Sequence, residues 1–212
     1  MNENDAVNGV LESVVSLDID GVAGQVSAAL KAGADPRIIL NSGLSAGMRV
    51  VGERFQSGEY FLTELLLAGE VMKAGLVPLE PLLTRTDMHG KGAVVLATVK
   101  GDIHDLGKNL VGMMLRASGF EVIDLGSNVA PQRIVDAVRA NSAKVVGLSM
   151  LLTPMVVSLR SAVEEITGAG LRQQVKIIIG GACTTPGLAE ELGCDGHGED
   201  AMAAVNLCEK YI

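Results

Sequence analysis

The chain has no tryptophan, three phenylalanines and two tyrosines among 212 residues, so only 2% of it is aromatic. Single-stranded nucleic acid is usually held by bases stacked on aromatic side chains, and this composition argues against that class. Positive charge is also short. Lys and Arg total 17 against 25 Asp and Glu, a formal net charge of −8. That is the wrong sign for gripping a phosphate backbone, and the basic residues are scattered rather than clustered. The surplus acid serves solubility rather than a specific partner. Cysteine is scarce too. Cys183, Cys194 and Cys208 form no Cys-x-x-Cys pair, and an odd count closes no disulfide framework. A reduced, cytoplasmic setting is the expectation. No apolar run approaches the ~18 residues that span a bilayer. The acidic start Met1-Asn2-Glu3-Asn4-Asp5 lacks the basic-then-apolar pattern of a signal peptide.

What the chain does have is apolar residues, 48% of the total with 20% charged. That suffices for a sizeable core in one or two domains. The apolar residues follow two different periods. Up to about residue 84 the period is helical. Val22, Val26 and Leu30 recur along one face, Gly33 offers a stop, and Asp35-Pro36 offers an N-cap with proline at the first helical position. Leu40, Leu44, Met48, Val51 and Phe55 make the next stripe. Leu62, Leu65, Leu66, Met72 and Leu76 make another, disturbed at its end by Pro78 and Pro81. With the Val7–Val15 segment this predicts a small antiparallel bundle of four helices.

The polar stretch Thr86–Gly92 reads as a linker. Beyond it, β-rich apolar runs alternate with helical segments. The runs are Ala93–Val99, Glu121–Leu125, Lys144–Ser149 and Val175–Ile179, and a fifth strand near Gly193–Gly196 is short. Helices are predicted at about Gly107–Ala117, Pro131–Ala140, Met155–Ala169, Thr185–Leu192 and Asp200–Tyr211. Runs this apolar, separated in this way, indicate a doubly wound parallel sheet with helices on both faces.

Distinctive residues follow three of these strands. After the first comes Gly101-Asp102-Ile103-His104-Asp105-Leu106-Gly107, an Asp-x-His-x-x-Gly pattern. After the third come Ser149, Leu151 and Thr153, and after the fourth come Gly180 and Gly181. Ligands of open parallel sheets bind at the carboxyl ends of strands, so the three loops can converge. A His near a carboxylate can offer one ring nitrogen to a metal while the other donates to the acid. No second His or Cys stands at zinc-ligand spacing, and a single protein ligand suggests a metal already chelated by a macrocycle. Each element has a plain explanation when taken alone. A lone loop His is most often just solvated, Ser149 can satisfy a backbone group, and Gly180-Gly181 can be an ordinary turn. Their joint occurrence, in order, on matching strand ends is what carries chemical meaning.

Together these residues resemble the cobalamin-binding domain that takes its cofactor with a histidine beneath the cobalt. The helical half adds Gly52-x-x-Phe55-x-x-Gly58-x-x-Phe61-Leu62 and Val71-Met72. That pattern resembles the helical cap preceding this domain in cobalamin-dependent methionine synthase and in the small corrinoid proteins of methyltransferase systems. The resemblance spans about residues 5–212. It implies a helical cap domain at 1–88 and a Rossmann-like (flavodoxin-like) α/β domain at 89–212, with the linker as hinge of a movable lid.

It also implies roles. His104 would be the cobalt ligand and Asp102 would hold its far nitrogen, the pair forming the reactive centre. Gly101, Ile103 and Asp105 would flank the corrin, with Gly107 completing the loop motif. Ser149, Leu151 and Thr153 would meet the nucleotide tail and the corrin rim. Gly180 and Gly181 would leave room for that tail, and Phe61, with Leu65 beside it, would cover the methyl face. One departure is plain: methionine synthase has a serine after its Thr-Pro that extends a proton relay, and here that place is Met155.

The implied function is a methyl carrier on methylcobalamin or a related corrinoid. Its expected partners are a substrate-specific methyltransferase, a second methyltransferase acting on tetrahydrofolate or a thiol, and a reductive activase. Donors of such systems include methanol, methylamines, methyl thioethers and methoxylated aromatics. Three alternatives stand beside it. A radical-mutase subunit would lack such a helical bundle, a cobalamin sensor would need a DNA-binding or signalling module, and a flavodoxin-like domain would need a phosphate-binding first loop.

Overall fold

The computed structural model describes residues 2–84, 87–88 and 90–212. The chain divides into two compact units, Met1–Gly90 with Ala117–Gly119, and Lys91–Arg116 with Phe120–Ile212. Thr86 and His89 of the expected hinge lie outside the described residues.

The first unit is helical. Helix α1 (Glu3–Val15) starts where the Asn2 side chain accepts the Asp5 N–H. Helix α2 is Val22–Lys31. The Asp35 carboxylate accepts the Arg37 N–H and opens α3 (Pro36–Ile38). A π-helical segment at Ile39–Ser45 then leads directly into α4 (Ala46–Gln56). Gly43 and Gly47 lie against α1: a Cβ on Gly47 would stand 2.7 Å from Val14 Cβ. Of the predicted stripe, Leu40 and Leu44 of the π-helical segment and Met48 and Val51 of α4 are buried, and Phe55 is half-buried.

Helix α5 (Leu62–Leu76) corrects an expectation. Leu65, Val71 and Met72 are buried, but Leu62 and Leu66 are exposed. The helix is apolar almost all round, so leucine spacing alone does not identify its inner face.

The second unit is a five-stranded parallel sheet in the order β2-β1-β3-β4-β5. The strands are β1 (Ala93–Thr98), β2 (Glu121–Asp124), β3 (Val145–Ser149), β4 (Lys176–Gly180) and β5 (Gly196–Gly198). Central β1 is buried along its whole length, as a strand covered on both faces must be. The helices are α6 (Leu106–Ala117), α7 (Pro131–Asn141), α8 (Val156–Gly168), α9 (Pro186–Glu191) and α10 (Ala201–Tyr211). Val95, Ala97, Val146, Ile177 and Ile179 pack with Ile134 and Val138 of α7 and Leu159 and Ile166 of α8. On the opposite face Gly112 of α6 lies against Leu96. The fifth strand starts three residues later than expected and ends two later, at the sheet edge.

Chain order reverses between β1 and β3. That reversal opens a crevice at the carboxyl ends of the strands.

Candidate functional site

The loops after β1, β3 and β4 are neighbours at that crevice, because these three strands are adjacent in the sheet. The β1 loop turns at Gly101, whose φ of +88° suits a residue without Cβ. A Cβ there would also approach Met155 Sδ at 3.0 Å.

Asp102 is the hub. Its side chain is fully buried, while that of His104 is 46% exposed. Asp102 Oδ1 accepts the His104 backbone N–H at 3.0 Å and faces His104 Nδ1 at 2.7 Å. Oδ2 accepts the Leu151 N–H at 2.7 Å. Burial alone pushes the Asp102 carboxyl up. The Leu151 and His104 amides and the His104 ring outweigh it and hold the group below the usual carboxylate range. An ionised Asp102 accepts only, so the hydrogen-bond network assigns the ring proton to Nδ1. Nε2 is left with its lone pair, and among the described residues no protein partner takes it.

The other expected residues are placed as follows. Ile103 is 72% exposed beside His104. Asp105 is half-buried, and its carbonyl accepts from Asn109 N–H at 2.8 Å as α6 begins. Gly107 lies in the first turn of α6 with open space where a Cβ would stand. Ser149 is half-buried, its carbonyl bonded to Val99 N–H at 3.1 Å. Leu151 is half-buried and Thr153, which opens a short 3₁₀ turn, is exposed. Gly180 ends β4, and its carbonyl accepts from Met150 N–H at 3.0 Å. Gly181 has φ +116°, and a Cβ there would meet Met150 O at 2.1 Å. These residues all belong to the sheet unit. Phe61 belongs to the helical unit, immediately before α5, where it is 68% exposed. Glu64 there accepts the Phe61 N–H. Phe61 is therefore no core residue of the bundle. Leu65 is the correction: at 1% exposure it is part of the bundle core and has no free face to cover anything.

The sequence reading missed several contributors. The Leu151 amide is a backbone donor and leaves no trace in residue type. Asn128, after β2, accepts the Gly101 N–H on Oδ1 and donates its own N–H to Asp102 O, both at 2.8 Å. Lys108 in α6 is almost wholly buried. Its ammonium is bonded to both Asp124 oxygens at 2.6 Å and to Asn109 Oδ1 at 2.7 Å. Thr184 is buried after β4. It donates to Gly181 O at 2.7 Å and lies 3.0 Å from His197 Nε2.

The donor set fits a chelated metal. One imidazole nitrogen is held by a buried acid and the other is free among the described residues, and Ile103 and Leu106, close by in the chain, are exposed apolar residues. Among the described residues no group of three or more His, Cys, Asp or Glu could hold a bare ion.

Comparison with known proteins follows the same lines. The B12 binding domain family matches residues 92–206, and a second B12 binding domain family matches residues 6–80. Trimethylamine corrinoid protein 2 of Methanosarcina acetivorans is 39% identical over 203 residues, 95% of this chain and 94% of that one. Dimethylamine corrinoid protein 1 of the same organism is 36% identical over 213 residues, the full length of both. Among solved structures, a cobalamin-binding protein from Desulfitobacterium hafniense has a TM-score of 0.81 at 37% identity, covering 97% of this chain and 98% of its own. The methanol:cobalamin methyltransferase complex MtaBC from Methanosarcina barkeri gives 0.86 at 25% identity, covering 97% of this chain and 79% of that one.

Proposed function

The chain belongs to the B12-binding corrinoid proteins, which makes it a cobalamin-binding methyl carrier, and we propose that it shuttles the methyl group between two enzymes through a site centred on His104. One methyltransferase takes the group from a small methylated donor of the kind named for the relatives, an amine or methanol. A second passes it to an acceptor such as tetrahydrofolate or a thiol, and a reductive activase restores oxidised cobalt.

When bound, cobalamin supplies a nucleophilic cobalt that accepts and releases a methyl group. The protein's own residues do the rest. His104 would hold the cobalt through Nε2. Asp102 keeps the proton on Nδ1 and fixes the ring plane, which leaves Nε2 as the donor atom. The Leu151 N–H occupies the outer oxygen of Asp102, and a peptide amide does not relay protons. Met155 has no exchangeable proton either, so the pair ends at Asp102. Ser149, Leu151, Thr153, Gly180 and Gly181 would receive the nucleotide tail and the corrin rim. Phe61 would cover the methyl face, and its exposure outside the bundle core supports that role.

The observation that carries this reading is the buried Asp102 aligned on His104 with Nε2 left outward. The test is electron paramagnetic resonance of protein loaded with cob(II)alamin. Cobalt signals split by one imidazole nitrogen are expected in wild type and lost in His104→Ala. Splitting retained in the variant, or absent from wild type, refutes the assignment.

A further inference from the structure

The segment Asp124–Val129, which starts at the last residue of β2, runs beside the His104 loop on the side away from β3. It carries none of the site residues expected from the sequence, yet it holds the end of β1, the His104 loop and the start of α6. Thr98 N–H donates to Gly126 O and Val129 N–H donates to Thr98 O, each at 3.0 Å. The Asp124 carboxylate holds the Lys108 ammonium at 2.6 Å. Asn128 brackets the turn itself, taking Gly101 N–H on its side chain and giving its own N–H to Asp102 O.

Asn128 does this from φ +53°, the left-handed region. Asn tolerates that region better than most residues with a side chain. The result is an Asp102 fixed from several directions. Its N–H goes to Val99 O at 3.1 Å, its carbonyl to Asn128, and its Oδ2 to Leu151. The remaining oxygen, Oδ1, is thereby aimed at His104.

We propose that Asn128 is a positioning residue for His104, acting through Gly101 and Asp102 to set how firmly the imidazole is presented to cobalt. The inference rests on the carrier reading above. Neither Asn128 nor its loop touches the expected ligand nitrogen. The effect is carried by backbone: a freed Gly101–Asp102 segment lets the carboxylate swing, and the ring it orients swings with it. Exposure matters here. Lys108–Asp124 is a largely buried anchor, whereas Asn128 is an exposed one. Asn128 is therefore the member of this set whose removal loosens the turn without stranding a buried charge.

Three variants separate the contributions. Asn128→Gly keeps the left-handed backbone and loses the side-chain acceptor. Asn128→Ala loses both, and Asn128→Asp restores an acceptor at the same place. In the full-length protein without cofactor, Gly101 amide hydrogen exchange should speed about fivefold in Asn128→Gly, the effect of one ordinary hydrogen bond. It should return toward wild type in Asn128→Asp, with unchanged urea midpoints marking the effect as local. After loading with cob(II)alamin, Asn128→Gly should show a mixture of signals with and without the imidazole-nitrogen splitting, and Asn128→Asp should restore the split form. Wild-type splitting that persists undiminished in Asn128→Gly overturns the proposal and leaves the carrier reading intact. Gly101 exchange that does not change also overturns it. Wild-type protein that binds cob(II)alamin without nitrogen splitting overturns both readings together.

Discussion

Gly181→Ala tests whether the glycine pair after β4 serves the fold or the ligand. The sequence suggests room for a nucleotide tail. The structure supplies a reason that operates with no ligand at all. A Cβ at Gly181 would lie 2.1 Å from Met150 O, 2.9 Å from Met150 C and 3.1 Å from Met150 N, and the residue has φ +116°. All three neighbours are backbone, so no side chain can swing away. A backbone conformation foreign to L-residues costs about 1–3 kcal/mol, and overpacking of a tight contact costs about 1–3 kcal/mol more. The expected loss is therefore about 2–6 kcal/mol, a large share of an ordinary domain's stability. Gly180→Ala is the internal control. Its Cβ would meet only Gly198 O, at 3.0 Å, and a shift of the short edge strand β5 can relieve that, so about 1 kcal/mol is expected. Gly107→Ala is the opposite control, with open space and a helical position; a gain of about 0.5–1 kcal/mol is expected there. Urea unfolding of the cofactor-free protein, followed by circular dichroism, ranks the three. If Gly181→Ala unfolds within about 1 kcal/mol of wild type yet binds cobalamin poorly, the argument from Met150 is wrong and the glycine serves the ligand.

Other outcomes follow from single groups. Phe61→Ala should cost under about 1 kcal/mol because the ring is exposed, while Phe120→Ala, at 0% exposure, should cost about 3–5 kcal/mol; equal losses in thermal unfolding would contradict the placement, and faster photolysis of bound methylcobalamin in Phe61→Ala would mark it as the cover. Asp195 is pushed up by burial but held below its usual range by the Ile177 amide, Lys176 and Arg172. Its stabilisation is present above the ordinary carboxylate value and lost as pH falls through the lower folded-state value, so Asp195→Asn should be destabilised by about 1–3 kcal/mol at pH 7; a gap from wild type that fails to narrow below about pH 4 would contradict the linkage. Burial pushes Cys194 up to about 11 and Cys208 up to about 12, whereas Cys183 is exposed; Ellman's reagent at pH 8 should titrate one thiol quickly and the other two only after unfolding.

How much of this was legible in the sequence depends on where each interaction is written. The central strands were legible because a parallel strand covered on both faces is apolar at nearly every position, as Ala93–Thr98 is. Strand β5 reads Gly-His-Gly and has no such signature, because an edge strand of three residues needs no apolar run. In α5 the predicted stripe was right at Leu65 and Met72 but wrong at Leu62 and Leu66, which are exposed, since a helix rich in Leu on all sides leaves the inner face to be chosen by its neighbours. Small and aliphatic residues made that choice: Leu65, Ala68, Gly69, Val71, Met72 and Gly75 are inside.

At the site, residue types announced His104 and Asp102 because their pairing is local, two positions apart. What orients that pair is not local. Leu151 lies 49 positions from Asp102 and contributes a backbone N–H, which every residue except proline possesses. Asn128 lies 27 positions from Gly101, and its left-handed backbone is its one local signature. A buried acid needs all of its acceptor capacity met before it can aim one oxygen. Here the Leu151 amide that takes the second oxygen comes from another loop, and so does the Asn128 amide on the Asp102 carbonyl, so the chemistry was readable along the chain while its rigidity belongs to the sheet. The same division locates the sensitive substitutions. Changing His104 removes the ligand outright, whereas changing Asn128 leaves every ligand atom in place and alters only how firmly it is held.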